Sequence, residues 1–363
     1  MRIGYVLRSL EDSGVTVYVL RLADAMRRRG HDVFLVSDGG TYESEVQRLG
    51  LRWLPLELCR NPLSSYLAAR RLGRLVRSLR PDILHANWRR AQLACHLAQR
   101  DAGIPFVSTL HLVGIPDNWF YRRLTHWGAL AIAPCTEAVD YLRDAFGVPQ
   151  ERIRLIFHGV DPADWPVPTR QDRLAARQAL GLPSQAAVLV CVARLEKIKG
   201  HDLLLRAFAE ARRKGGDLRL LLVGAGREEG RLKRLATELQ LGEAARFLGY
   251  TDPHQALAAA DAFVLASWRE SFGIAPAEAM LSGLPLIRTD SEGARDQIVP
   301  GETGAVVPRG EVETLARAVA DVACRRDEWL RRGELARRRA LDLFTLDRMA
   351  ERVERAYLEV LCP

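Results

Sequence analysis

Short apolar runs alternate with longer segments whose apolar positions recur every three or four residues, and this alternation occurs twice along the chain. In the first half, runs at 3–7, 32–37, 82–85, 105–109, 130–133 and 153–157 have the length and composition of buried strands. Between the first two, the segment 17–29 puts Val19, Leu22, Ala23 and Met26 on one helical face, and Gly30-His31 ends it. Residues 164–177, with Pro166 and Pro168, read as a connection. The second half restarts with predicted strands at 187–192, 218–223, 245–248, 263–265 and 286–288 and a short edge piece at 305–307. Helices are predicted at 203–214, 231–238 and 254–260, and a final one at 346–360.

Strands alternating with helices predict parallel, doubly wound α/β sheets, here two Rossmann-like units. The boundaries read as an N-terminal domain 1–165, a connection 166–186, a C-terminal domain 187–345 and a C-terminal helix 346–363. Ligands of such sheets bind beyond the carboxyl ends of the strands, so two facing units put the site in a cleft between them.

Composition narrows the class. The 363 residues suit two domains of ordinary size, and no apolar run is long enough to span a bilayer. Residues 1–7 read as a strand, and Asp12 follows too soon for a signal peptide. The six cysteines (59, 95, 135, 191, 324 and 362) are scattered, with no C-x-x-C and no histidines at metal spacing. They read as small buried apolar residues of a reducing, cytoplasmic compartment, not as a disulfide framework or zinc site. A net charge of +8 favours an anionic partner, but no nucleic-acid-binding motif accompanies it.

The most specific chemistry lies at 269–278, Arg-Glu-Ser-Phe-Gly-Ile-Ala-Pro-Ala-Glu, between an apolar strand and a helix that opens near Pro276. Unpaired N–H groups at a helix start favour an anion. Glu270 and Glu278 flank that point and can accept hydrogen bonds from sugar hydroxyls. The same spacing also fits a first-turn charge with a solvated helix residue. A pair of glycosidase carboxylates would need two walls facing one bond.

Glu-Ser-Phe-Gly, Glu278 eight residues after Glu270, and Gly-Leu-Pro at 283–285 resemble the E-x7-E signature of the retaining glycosyltransferases of family 4, which have the GT-B fold. The likeness extends along nearly the whole chain. Arg194-Leu195 to Lys199-Gly200 resembles the R-L-x-x-x-K-G loop whose two cations clamp the donor diphosphate. Leu222-Val223-Gly224-Ala225-Gly226 resembles V-G-x-G, and Phe247-Leu248-Gly249 resembles the F-L-G segment at the nucleotide base. Ser13-Gly14 resembles the glycine-rich first loop, Pro81 to His85 the P-D-x-x-H strand, and Thr109-Leu110-His111 the T-x-H strand end beside the donor sugar. His158 stands where Asn is usual, Glu292 where Gly is usual, and Asp296 where Glu is usual.

The resemblance implies two Rossmann-like domains facing across a cleft, with the C-terminal helix returning to the N-terminal domain. It implies transfer from a nucleoside-diphosphate sugar, such as a UDP- or GDP-sugar, to an acceptor hydroxyl with retention. Glu270, His111, Arg194 and Lys199 would be catalytic. Gly14, Arg194, Lys199, Phe247, Leu248, Glu270, Phe272, Gly273, Ile274 and Glu278 would bind the donor. No cofactor or metal is expected, since the D-x-D pattern is absent. The acceptor would be a glycan, a lipid-linked molecule or a small molecule. Another GT-B enzyme, such as an epimerase or inverting transferase, and a non-catalytic nucleotide-sugar-binding subunit are the alternatives. The segment 64–80 puts Leu72, Leu75, Val76 and Leu79 on one stripe and Arg70, Arg71, Arg74, Arg77 and Arg80 around it. It reads as a core-packed surface helix or as one lying on the anionic inner face of a membrane.

Overall fold

The computed structural model describes residues 1–58, 62–116 and 118–362, so Cys59 lies outside the described residues. The chain divides into two compact units, residues 1–160 with 345–363, and residues 161–344.

The first unit runs β1 (Arg2–Ser9), α1 (Gly14–Arg28), β2 (Asp32–Asp38), α2 (Glu43–Arg48), β3 (Arg52–Pro55), α3 (Pro62–Leu79), β4 (Ile83–Ala86), α4 (Arg89–Ala102), β5 (Phe106–Thr109), α5 (Trp119–Leu124), β6 (Ala131–Ala133), α6 (Thr136–Phe146) and β7 (Ile153–Leu155). Its sheet is parallel, in the order β3-β2-β1-β4-β5-β6-β7. The predicted strands form because buried parallel strands read as continuous apolar runs.

The second unit contains α7 (Arg170–Ala179), β8 (Ala187–Val192), α8 (His201–Arg213), β9 (Leu218–Val223), α9 (Glu229–Glu238), β10 (Ala245–Gly249), α10 (His254–Ala259), β11 (Ala262–Leu265), α11 (Ile274–Leu281), β12 (Leu286–Thr289), α12 (Ala294–Gln297), β13 (Gly304–Val307), α13 (Val312–Cys324) and α14 (Arg326–Leu343). Its parallel sheet has the order β10-β9-β8-β11-β12-β13.

The stretch 166–186, expected as a connection, holds α7. Thr169 caps it: its Oγ1 accepts from the Asp172 amide while Asp172 accepts from the Thr169 amide. The last helix, α15 (Leu346–Leu361), returns to the first unit as the resemblance implied. Leu346, Met349, Ala350, Val353, Ala356 and Tyr357 form its buried face and join the core around β1 and α1. The chain re-enters where Leu346 donates its amide to the Val160 carbonyl at 2.9 Å. A Cβ on Gly159 would lie 2.7 Å from the Leu346 backbone, so the approach requires glycine. Among the described residues, no helix is long and apolar enough to cross a membrane.

Candidate functional site

In both sheets the strand order reverses at one place, between β1 and β4 and between β8 and β11. Such reversals splay the following loops apart at the carboxyl ends of the strands. In the second unit the loop after β8 carries Arg194 and Lys199, and the loop after β11 carries Glu270. The reversal therefore joins residues that are far apart in sequence.

Lys199 Nζ donates to Glu270 Oε1 at 2.6 Å. Ser267 Oγ donates to the same oxygen at 2.8 Å. Burial pushes the Glu270 carboxyl up, but Lys199, Arg288 and Ser267 outweigh it and hold the group below the usual carboxylate range. Glu270 is therefore an ionised, nearly dry carboxylate. Its backbone N–H donates to Glu292 Oε2 at 2.8 Å, and Arg309 lies 3.6 Å from the other Glu292 oxygen.

The Lys199 loop is pinned by backbone contacts. The Trp268 amide donates to the Ile198 carbonyl at 2.9 Å. Gly200 has φ +65, and a Cβ there would stand 2.0 Å from the Ala266 carbonyl oxygen. Only glycine fits both the left-handed backbone and the close crossing. Arg194 differs from Lys199: it is exposed, with Glu196 at 4.0 Å.

Gly273 caps α11 with φ +82, and Pro276 sits in the first turn. Ile274 and Glu278 are half-buried along that helix. Phe272 sends its ring into the core against Phe344, at 5.1 Å between centroids, so its side chain faces away from the site. Phe247 and Leu248, at the end of β10, are half-buried, with Lys233 Nζ 5.9 Å from the Phe247 ring.

In the first unit, Gly14 opens α1 after the Ser13 cap, and a Cβ there would meet open space. His111 follows β5. Asn87 donates its amide to the His85 carbonyl at 3.1 Å, which turns Oδ1 toward His111 Nε2 at 3.0 Å. Nε2 then carries the proton, and Nδ1 keeps its lone pair. Burial and then the neighbouring His158 and His85 hold His111 well below its ordinary range, so it is neutral. Tyr18 packs edge-on against it at 5.0 Å. Beneath lies a buried chain: Tyr18 OH to Thr109 Oγ1 at 3.2 Å, Thr109 to His85 Nε2 at 2.7 Å, and His85 Nδ1 to Tyr357 OH at 2.7 Å. Burial pushes His85 down to about 3.

The sequence reading missed Asn87, Tyr18, Tyr357, Ser267, Arg288 and Gln297. For Arg288 a signal existed, since a charged residue inside an apolar strand run requires buried partners.

Comparison with known proteins follows the two units. The model of glycosyltransferase family 4 matches residues 13–164, and that of glycosyl transferases group 1 matches residues 172–339. The chain is 30% identical to a glycogen synthase of Mycobacterium tuberculosis (strain CDC 1551 / Oshkosh) over 299 residues, 78% of this chain and 70% of that protein. It is 29% identical to a D-inositol 3-phosphate glycosyltransferase of Rhodococcus opacus (strain B4) over 345 residues, 84% of this chain and 77% of that one. The structure of Anabaena Alr3699/HepE in complex with UDP aligns with a TM-score of 0.89 at 21% identity, covering 99% of this chain and 100% of that one. A glycosyltransferase from Rickettsia africae ESF-5 aligns with a TM-score of 0.86 at 22% identity, covering 99% and 98%. These alignments show the GT-B fold. The chain belongs to the glycosyltransferases of group 1 and family 4 and is an enzyme that transfers a sugar from a nucleotide-sugar donor.

Proposed function

We propose that this glycosyltransferase moves a hexose from a UDP- or GDP-sugar to an acceptor hydroxyl with retention of anomeric configuration, without a metal ion. The acceptor is a glycan, lipid-linked or small molecule of glycan or glycolipid synthesis. The observation that carries the reading is the pairing of half-buried Lys199 with buried Glu270 at the switch point of the second sheet. UDP is the first donor to test, because Alr3699/HepE was solved with UDP and with UDP-glucose.

As the glycosidic bond breaks, negative charge collects on the leaving diphosphate. Arg194 and Lys199 stabilise it, and Lys199 is the more effective because little water screens it. Glu270 accepts hydrogen bonds from sugar hydroxyls, and Glu278 from the ribose. Phe247 and Leu248 border the base, while Gly273 and Ile274 bring backbone N–H groups to the donor. In the first unit, Gly14 allows close approach of a phosphate, and His111 Nδ1 accepts from a sugar hydroxyl. A front-face route balances: the departing phosphate oxygen takes the acceptor proton as the acceptor oxygen bonds to the anomeric carbon.

Calorimetry with UDP and UDP-glucose tests the division of roles. Glu270→Ala should weaken UDP-glucose and spare UDP, whereas Glu278→Ala should weaken both. Equal losses for the two ligands in Glu270→Ala would defeat the assignment. NMR of the product's anomeric proton decides retention, and inversion would move the enzyme to another GT-B class. Turnover unchanged by a chelator is expected. The enzyme is proposed to be cytoplasmic, with the basic face of α3 against anionic lipid. The exposure of Arg70, Arg71, Arg74 and Arg77 beside the half-exposed Leu67 supports that placement.

A further inference from the structure

β12 is a buried strand, where apolar residues are the rule, yet its third residue is Arg288, fully buried. A guanidinium leaves water at a large cost unless its N–H groups find acceptors. Here the site's own loops supply acceptors to both Nη groups. Nη1 donates to the Phe272 carbonyl at 3.1 Å and also to Gln297 Oε1. Nη2 donates to the Glu292 carbonyl at 3.1 Å and to Ser291 Oγ at 3.3 Å. Gln297 closes the frame from α12, its Nε2 donating to the carbonyls of Phe272 at 3.0 Å and Gly273 at 2.9 Å. The two Nη groups of one planar guanidinium thus tie the loop after β11 to the loop after β12. A lysine could not reproduce that fork.

We infer that Arg288 is the positioning residue of the donor site, locking residues 270–273 and 291–293 into one block that presents Glu270 to the sugar, and that Gln297 is its partner in that block. The inference rests on the donor-site reading above. It also has an electrostatic side. The groups that face Glu270 are Lys199 from the loop after β8, Ser267 from its own loop, and Arg288 from β12. Glu292, which holds the Glu270 amide, is answered by Arg309. Cys191 on β8 also feels the Glu270 charge, but burial pushes its thiol up to about 12, so it stays neutral. Lys199 and Arg288 are the two cations that draw Glu270 down. Removing Arg288 therefore moves Glu270 upward, and activity that needs the carboxylate is lost at a higher pH.

The test follows release of UDP from UDP-glucose into water, from acid to neutral pH, in the full chain and in Arg288→Met, Arg288→Lys and Gln297→Met. Arg288→Met should lower kcat by roughly a hundredfold, the scale of a displacement near 1 Å at a reacting centre. Its KM should change far less, and the acid limb should move to higher pH. Arg288→Lys should return the acid limb but not the rate. Gln297→Met keeps the charge, so it should lower kcat with the limb unmoved. A folded Arg288→Met with wild-type kcat and acid limb overturns the inference. If Arg288→Met does not fold, a folded Gln297→Met with wild-type kcat overturns it instead. A wild-type chain that neither binds nor turns over UDP-, GDP- or ADP-glucose would remove the donor reading and the inference together, an outcome distinct from an active parent with unaffected variants.

Discussion

Arg194 and Lys199 are cations on one loop, yet their surroundings predict different responses to removal. Arg194 is 58% exposed, so Arg194→Ala should leave folding intact. Lys199 is half-buried, and removing it strands the buried Glu270 carboxylate. Lys199→Ala should cost about 3–5 kcal/mol of stability in a urea titration. Both should slow turnover at least tenfold, roughly 1.4 kcal/mol in the barrier. The pH dependence separates them further. Glu270 is depressed in the folded state, so its contribution is present above the ordinary carboxylate pKa and lost as pH falls through the depressed one. The wild-type melting temperature should therefore fall as pH drops below the ordinary carboxylate range. Without Lys199, burial pushes Glu270 upward, and that part of the fall should shrink or reverse. Parallel melting curves against pH for wild type and Lys199→Ala would show that the pair is not the coupled unit described here.

At the scale of elements, the legible parts were those with a local period. The central strands announced themselves as apolar runs, and α1 and α15 as stripes recurring every three or four residues. The edge strand β3, Arg-Trp-Leu-Pro, is short and alternates too little to stand out. α7 was hidden by Pro166 and Pro168, although the Thr169–Asp172 box marked its start. What no local period could supply was pairing at a distance. Lys199 and Glu270 are 71 positions apart and meet only because the strand order reverses. Asp261, just before β11, is another such meeting. Its buried carboxylate takes Arg177 at 2.7 Å, Arg173 at 2.9 Å, Arg326 at 3.1 Å and the Val188 amide at 2.8 Å. Asp261 thereby joins α7, β8 and α14. Asp261→Asn should destabilise by about 3–5 kcal/mol, because Arg177 is left buried without its counter-charge. A loss of unfolding free energy below about 1 kcal/mol, inside the range of an exposed pair, would refute that reading. α3 makes the opposite case. Its Leu72 and Val76 are buried while Arg70, Arg74 and Arg77 are exposed, with Arg77 Nη1 3.5 Å from the Asp101 carbonyl, and substitutions at exposed positions rarely cost more than about 0.5 kcal/mol. Replacing those three with Gln should lower stability by no more than about 0.5 kcal/mol each. It should weaken cosedimentation with anionic vesicles by about 1 kcal/mol per charge, and more strongly at low salt. Negligible binding of the wild type to anionic and neutral vesicles alike would leave these arginines a solvated face.

For the whole molecule, the consequential feature is that the chain's last helix completes its first unit. Four large side chains of α15, Leu346, Met349, Val353 and Tyr357, are each no more than 4% exposed in the core around β1 and α1. At roughly 1.5–3 kcal/mol for each large buried side chain, they contribute at most about 6–12 kcal/mol. That is comparable with the net stability of a whole domain, about 5–15 kcal/mol. Removing the helix also deprives buried His85 of the Tyr357 hydroxyl at 2.7 Å, leaving a ring nitrogen unmatched at a further cost of about 1–3 kcal/mol. The second unit is compact by itself, and the Lys199–Glu270 pair lies within its residues 161–344. A chain ending at Phe344 should therefore unfold in its first unit and keep its second. Hydrogen exchange read peptide by peptide resolves the two. Peptides from β1, α1 and β4 should lose protection in the shortened chain, and those from β8, β11 and β12 should retain it. UDP should still protect the second unit, where the proposed diphosphate cations lie, while transfer activity disappears, since Gly14 and His111, proposed to meet the donor, belong to the unit that has melted. Undiminished protection of β1 and α1 without α15 would mean that the first sheet and its own helices suffice, and that the returning helix is an addition to a core already complete.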